Sequence, residues 1–214
     1  MRRTKPDTGL TFGRWRQSWA ALGVAVADQR AFDELLARYA EPHRAYHTRQ
    51  HLAECFAHWE AVRGGAAAPG EVEIALWYHD AVYDPRRDDN EPQSAALAHA
   101  AIRDAGLGDA LADRVEALIL STRHATPPPA GDASLLTDVD LAILAARRER
   151  FDEYERQVRS EFDWVPAPLF RWKRRSLLQA LLDRPHLYAT PHFQRTAEAP
   201  ARANLQRSIA QLLG

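Results

Sequence analysis

The chain carries one cysteine, Cys55, in 214 residues. An intramolecular disulfide framework is therefore excluded, and a lone thiol fits a reducing cytoplasm. Neither sign of charge dominates: 28 lysines and arginines stand against 29 acids, for a formal net charge of -1. No global field recruits nucleic acid or an anionic membrane surface. The densest basic cluster, Arg171–Arg175, reads as a solvated helix face. No apolar run is long enough for a membrane span. Arg2, Arg3 and Lys5 open the chain without the apolar stretch that a signal peptide needs after them. Alternating strand patterns, repeats, linkers and low-complexity segments are also missing. The expectation is a cytoplasmic protein without nucleic-acid or membrane partners, with an oligomer left open.

What is present is helical periodicity in a chain that is 46% hydrophobic, ample for a sizeable core. Phe12, Trp15, Trp19 and Leu22 mark a first helix. Asp28 caps a second that buries Phe32, Leu35, Leu36 and Tyr39 and stops before Pro42. Thr48 caps a third carrying Leu52, Cys55, Phe56, Trp59 and Val62, closed by Gly64–Gly65. A fourth contains His79 and Asp80 and ends at Asp84–Pro85. Asn90 is placed to cap a fifth that reaches Gly106, and a sixth spans Asp109 to Arg123, ahead of Pro127–Pro129. Helices near 134–147, 149–162, 167–183 and 194–213 complete a single all-α domain, with Pro200 shifting or kinking the last start.

The run Glu71–Asp84 (EVEIALWYHDAVYD) holds the most informative pair. Val72, Ala75, Leu76 and Tyr83 form an apolar helix face, with His79 on that face and Asp80 on its flank. Burying an imidazole and a carboxylate together costs several kcal/mol unless something pairs with them, and a divalent metal does so well. Upstream lie His43, His47 and His51. His47 and His51 are four residues apart, about 6 Å along a helix axis. Thr48 stands where a zincin would have its glutamate, so one of these histidines supplements His79 and Asp80, and the segment does not form a site alone. His51 sits beside Leu52 and Cys55, on the flank of its helix's apolar face. Downstream, Leu136, Val139 and Ile143 centre an apolar face. Asp140 lies about 60° from that centre and Asp138 roughly 140° from it, so Asp140 is the inward carboxylate. Asp138 reads as a helix-start cap or a partner of the ligands, and as a ligand only in second place.

The order His51, then His79–Asp80, then Asp140 on separate helices resembles the HD superfamily of metal-dependent phosphohydrolases. The segment Tyr46–His51 (YHTRQH) is similar to the Tyr-His-Asn-x-x-His segment of its cyclic-nucleotide phosphodiesterase branch, with Thr48 in place of Asn. YHTRQHL, WYHDAVYD, Asn90–Glu91, TDVDLAIL and the late ARANL are closer still to a bacterial group of predicted HD-type phosphohydrolases, over most of the chain from about Trp15. The resemblance implies an HD-type helical bundle with His51, His79, Asp80 and Asp140 as metal ligands. It also implies one domain over 1–214, with a metal-site core at about 28–147 and a helical extension at about 148–214.

Two imidazoles and two carboxylates leave positions open on an octahedral ion (Mn, Mg, Ni, Co, Fe or Zn), an arrangement suited to hydrolysis of a small phosphorylated substrate. Asp80 could bridge to a second ion, with His124 as an extra ligand or else a solvated cation at a helix end. His47 could protonate the leaving oxygen. Trp77, Tyr78 and Tyr83 flank the pair as pocket walls or as core. Two other readings accompany the phosphohydrolase: a dinuclear iron oxygenase on the same scaffold, and a helical metal-binding or regulatory protein without catalysis.

Overall fold

A computed structural model of the chain describes residues 9–213. Arg2, Arg3 and Lys5 lie outside the described residues. Among those described there are α-helices and short 3₁₀ turns but no strand, and no helix is long and apolar enough to cross a membrane.

The architecture is built around one helix. Helix α1 (Phe12–Ala21) begins at Thr11, a cap that the sequence expectation does not include, and α2 (Gln29–Arg38) and α3 (Arg49–Val62) begin at the expected caps. The side chains of Thr11, Asp28 and Thr48 accept from the backbone N–H of Arg14, Arg30 and Gln50, and so occupy donors that the first turn leaves unused. Helix α4 (Pro69–Tyr78) is buried on every side from Val72 to Tyr78, as expected of a helix that is apolar all round. It is packed by α1 and α3, and by α5 (Asn90–Asp104), α6 (Asp109–Ser121) and α7 (Asp132–Asp140). Gly70 allows α1 to come close, since a Cβ there would lie 3.0 Å from Ala21 Cβ.

An aromatic cluster fills the space beside α4, with Trp15 edge-on to Trp77 at 5.4 Å and Phe56 against Trp77 at 4.7 Å. Trp77 is thus core, and it does not wall a pocket. The one carboxylate inside this layer, Glu73, accepts from Ser18 Oγ (2.8 Å), Trp59 Nε1 (3.1 Å) and Arg63 Nε (2.7 Å). Those bonds satisfy the charge and fasten α1 and α3 to α4.

The remaining helices are α8 (Arg148–Glu161), α9 (Ala167–Leu182), α10 (Pro191–Thr196) and α11 (Glu198–Leu213). They clamp the first half. Asn204 on α11 donates to the carbonyls of Leu144 and Ala146, each at 2.9 Å, and Glu161 at the end of α8 gathers the backbone of residues 45–47.

Four expectations need correction. Helix α4 ends at Tyr78, so His79 is its C-cap and Asp80 and Tyr83 lie beyond it. The reason is Arg44: its Nη1 donates to Asp80 O (2.6 Å) and its Nη2 to Ala81 O (3.1 Å), so carbonyls past the helix end have a partner in a turn. Asn90 is the first residue of α5 and not its cap. Its side chain bonds the backbone of Asp84 in both directions, holding the loop between α4 and α5. The segment 134–147 divides into α7 and a 3₁₀ turn, Leu141–Ala145. Residues 194–213 break at Ala197, and Pro200 falls in the first turn of α11, where its missing N–H has no intrahelical use.

Candidate metal centre

Four side chains from three parts of the fold converge where α4 ends. His51 comes from the first turn of α3, His79 and Asp80 from the turn after α4, and Asp140 from the last residue of α7. His51 Nε2 lies 3.1 Å from His79 Nε2, 3.3 Å from Asp80 Oδ2 and 3.1 Å from Asp140 Oδ1. His79 Nε2 lies 3.1 Å from Asp80 Oδ2 and 3.6 Å from Asp140 Oδ1. Both histidines are buried, and both carboxylates are partly buried.

These separations fit one ion. Metal–ligand bonds of about 2.0–2.2 Å place neighbouring donors about 3 Å apart in an octahedron and about 3.5 Å apart in a tetrahedron. The tautomer fits as well. His79 Nδ1 is 2.8 Å from the carbonyl of Leu76, and a carbonyl only accepts, so Nδ1 carries the hydrogen and the neutral ring turns its Nε2 lone pair to the cluster. His124 Nε2 donates to Asp140 Oδ2 at 2.8 Å, leaving Oδ1 toward His51 and His79. His124 itself has φ +53°, a left-handed conformation that histidine enters more readily than most residues. Arg184 holds it there through its carbonyl, at 2.8 Å.

Burial opposes charge on every member, and neighbouring groups outweigh it. The Asp80 carboxyl is held well below the usual range because His79, His47 and His51 outweigh its burial. Asp140 is lowered likewise by His124, His51 and His79. His51 and His79 are raised well above the ordinary imidazole value: Cys55, Tyr46 and the two aspartates outweigh burial for the first, and Asp80, Tyr39 and Asp140 for the second. Protons and a metal ion would therefore compete for the same lone pairs, and metal binding would release protons.

His47 stands beside this group in a frame that sequence reasoning missed. Glu161 Oε1 accepts from three successive backbone N–H groups, Ala45 (2.8 Å), Tyr46 (2.7 Å) and His47 (3.0 Å). Its Oε2 accepts from His47 Nδ1 and from the Tyr83 hydroxyl, each at 2.8 Å. These bonds outweigh burial and lower the Glu161 carboxyl to about 2. Tyr83 stacks on the His47 ring at 3.9 Å. A signal existed: Glu161 shares a helix face with Phe151, Tyr154 and Val158, so it is a carboxylate at an apolar position. Arg44 gave no such signal.

Asp138 is not a ligand in this arrangement. Its Oδ1 accepts from Ala189 N (2.8 Å), and its Oδ2 from Thr190 N (2.7 Å) and Thr190 Oγ1 (2.6 Å). It is neither a helix-start cap nor solvent-facing, because the 187–190 segment covers that side of α7. Asp138→Ala is expected to lower stability by roughly 1–2 kcal/mol, since it removes the acceptor of the part-buried N–H groups of Ala189 and Thr190, while metal affinity changes only a few-fold. Asp140→Ala should do the reverse. Metal titration at fixed pH beside denaturant unfolding separates the two, and loss of the ion from the Asp138 variant alone would reverse the assignment.

A cavity of about 140 Å³ adjoins the cluster, lined by His51, Cys55, Asp140, Glu54, His58 and Arg150 among others. Arg150 is held over it by a bidentate pair with Glu54, at 2.7 and 2.8 Å. Cys55 was legible only as core. Its sulfur lies within 4.8 Å of donor atoms of His51, His79 and Asp140. A second group of possible donors, His99, Asp113 and Glu116, lies on α5 and α6, where Asp113 is exposed. Comparison with protein-family models, with curated proteins and with solved structures finds no match.

Proposed function

We propose that the chain is a metal-dependent phosphohydrolase of the HD type, acting on a small phosphoester or nucleotide. The convergence of His51, His79, Asp80 and Asp140 at 3.1–3.6 Å carries this reading. When bound, a divalent ion would activate water and polarise a phosphoryl oxygen. The chain does the rest. Asp80 and Asp140 compensate charge, His79 is fixed in the ligand tautomer by Leu76, and His124 orients Asp140. Glu161 accepts a hydrogen bond from His47 Nδ1 and so leaves Nε2 as the atom that exchanges a proton with the leaving oxygen. Arg44 Nη1 donates to the carbonyls of both His47 (3.1 Å) and Asp80 (2.6 Å), so the proton donor and the ligand-bearing turn share one anchor.

A panel of nucleotides and sugar phosphates, assayed in turn with Mn, Mg, Ni and Co, tests the reading. Hydrolysis that a chelator abolishes and one of these ions restores is expected. Tight metal retention without turnover of any phosphate ester would instead favour the binding protein, and metal-dependent oxygen consumption the oxygenase. His47→Gln is expected to lower kcat by about 10²–10⁴-fold with metal retained. Equal loss of metal and rate would remove the proton-transfer role.

A further inference from the structure

We propose that helix α9 and the turn before it form a surface that docks on an anionic lipid bilayer. None of the residues concerned belongs to the candidate metal centre, so the inference stands apart from the reading of that centre.

Exposure points to it first. Among the described residues, four of the six exposed large hydrophobic side chains lie here: Trp164 (49%), Leu169 (42%), Trp172 (57%) and Leu177 (54%). Single exposed hydrophobics are ordinary, but a grouping of this kind marks an interaction site. At about 100° per residue, Leu169, Trp172, Lys173 and Ser176 fall within about 100° of one another. They occupy the side of α9 opposite its buried Arg174, Leu178 and Leu181. Trp164 continues the patch past the start of the helix, because the Phe162 ring lies 6.5 Å from Trp164 and 6.3 Å from Phe170 on α9.

Charge names the partner. Helix α9 contains no aspartate or glutamate, although acids outnumber bases in the whole chain, 29 to 28. Arg174 is buried and pairs with Glu155 and the Tyr154 hydroxyl. The side chains of Arg171, Lys173 and Arg175 have no acidic partner among the described residues. Arg86 adds a fourth cation, 5.4 Å from the centre of the Trp164 ring. Cations without partners, interleaved with tryptophan and leucine, fit anionic headgroups above an acyl boundary, where indole rings also settle. A nucleic acid would meet the cations and leave Leu169 and Leu177 in water. A second copy, in a symmetric α9 pair, would set like charges against each other. The solvated face expected for Arg171–Arg175 is thus amphipathic, and no helix is long and apolar enough to cross a membrane, so the contact is peripheral.

Co-sedimentation of the full chain with vesicles of phosphatidylcholine, alone or mixed with phosphatidylglycerol, tests this. Binding to the mixed vesicles only is expected. It should weaken as salt rises and shift tryptophan emission to the blue as Trp164 and Trp172 leave water. Replacing Arg171, Lys173 and Arg175 together by glutamine should weaken binding about a hundredfold, at about fivefold for each cation. Trp172→Ser should shrink the blue shift. No binding to the mixed vesicles, or equal binding to neutral ones, overturns the proposal. So does tighter binding of a single-stranded oligonucleotide through the same cations, or self-association that Trp172→Ser abolishes. The wild-type vesicle measurement decides the main question, so the test survives a variant that folds poorly.

Discussion

Asp80→Ala is expected to strip the centre of its ion, and of any activity, while the far-ultraviolet helical signal stays within about a tenth of the wild-type value. The separation follows from how Asp80 is held. Its backbone carbonyl accepts from Arg44 and its N–H donates to the Tyr39 hydroxyl, at 2.6 and 3.3 Å. Neither bond uses the carboxylate. The side chain instead faces His51 and His79, so its removal takes away one of two negative charges that compensate an ion. The core beside it, Trp15, Phe56, Trp77 and Leu76, is untouched and supplies the burial that keeps α4 in place. Circular dichroism beside a metal titration reads both quantities. A parallel collapse of helicity and metal binding would mean that the ion is structural.

The second large effect belongs to Glu161. Glu161→Ala is expected to cost about 3–5 kcal/mol, because it leaves three backbone N–H groups, His47 and the Tyr83 hydroxyl without their common acceptor. The acid dependence has a definite sign. The folded-state value of about 2 lies below the ordinary 4.5, so this carboxylate's contribution is complete above about pH 4.5 and is lost as pH falls toward 2. Its size is on the order of 3 kcal/mol for a side chain with no exposed surface. Urea unfolding of wild type and Glu161→Gln at pH 7 and at pH 3 measures it. The stability gap should narrow at the lower pH, and a gap that stays constant would contradict the assignment.

The helices were legible because their signals are local. Thr48 and Asp28 cap where a short side-chain oxygen precedes an apolar periodic run. The site was legible in part, and for mixed reasons. His79 does point into the protein, but the face argument that placed it used Tyr83, which lies outside α4. The inward direction comes from the burial of α4 on all sides. For Asp140 the angular reading and the structure agree, since α7 keeps its helical phase through residue 140. The same reading turned Asp138 away from that face and made it a helix-start cap or a partner of the ligands. The periodicity of one helix carries no information about a second layer, and the chain at 187–190 covers that side. Glu161 was marked only as a carboxylate at an apolar helix position, and its backbone partners lie over a hundred residues away in sequence, while Arg44 acts on distant carbonyls with no residue pattern to announce it.

Crystals soaked in manganese and measured for anomalous scattering test the central claim most directly. The account predicts one strong peak about 2.0–2.2 Å from His51 Nε2, His79 Nε2 and oxygens of Asp80 and Asp140. A peak at His99, Asp113 and Glu116 instead, or density between the two histidines with no anomalous signal, would contradict it.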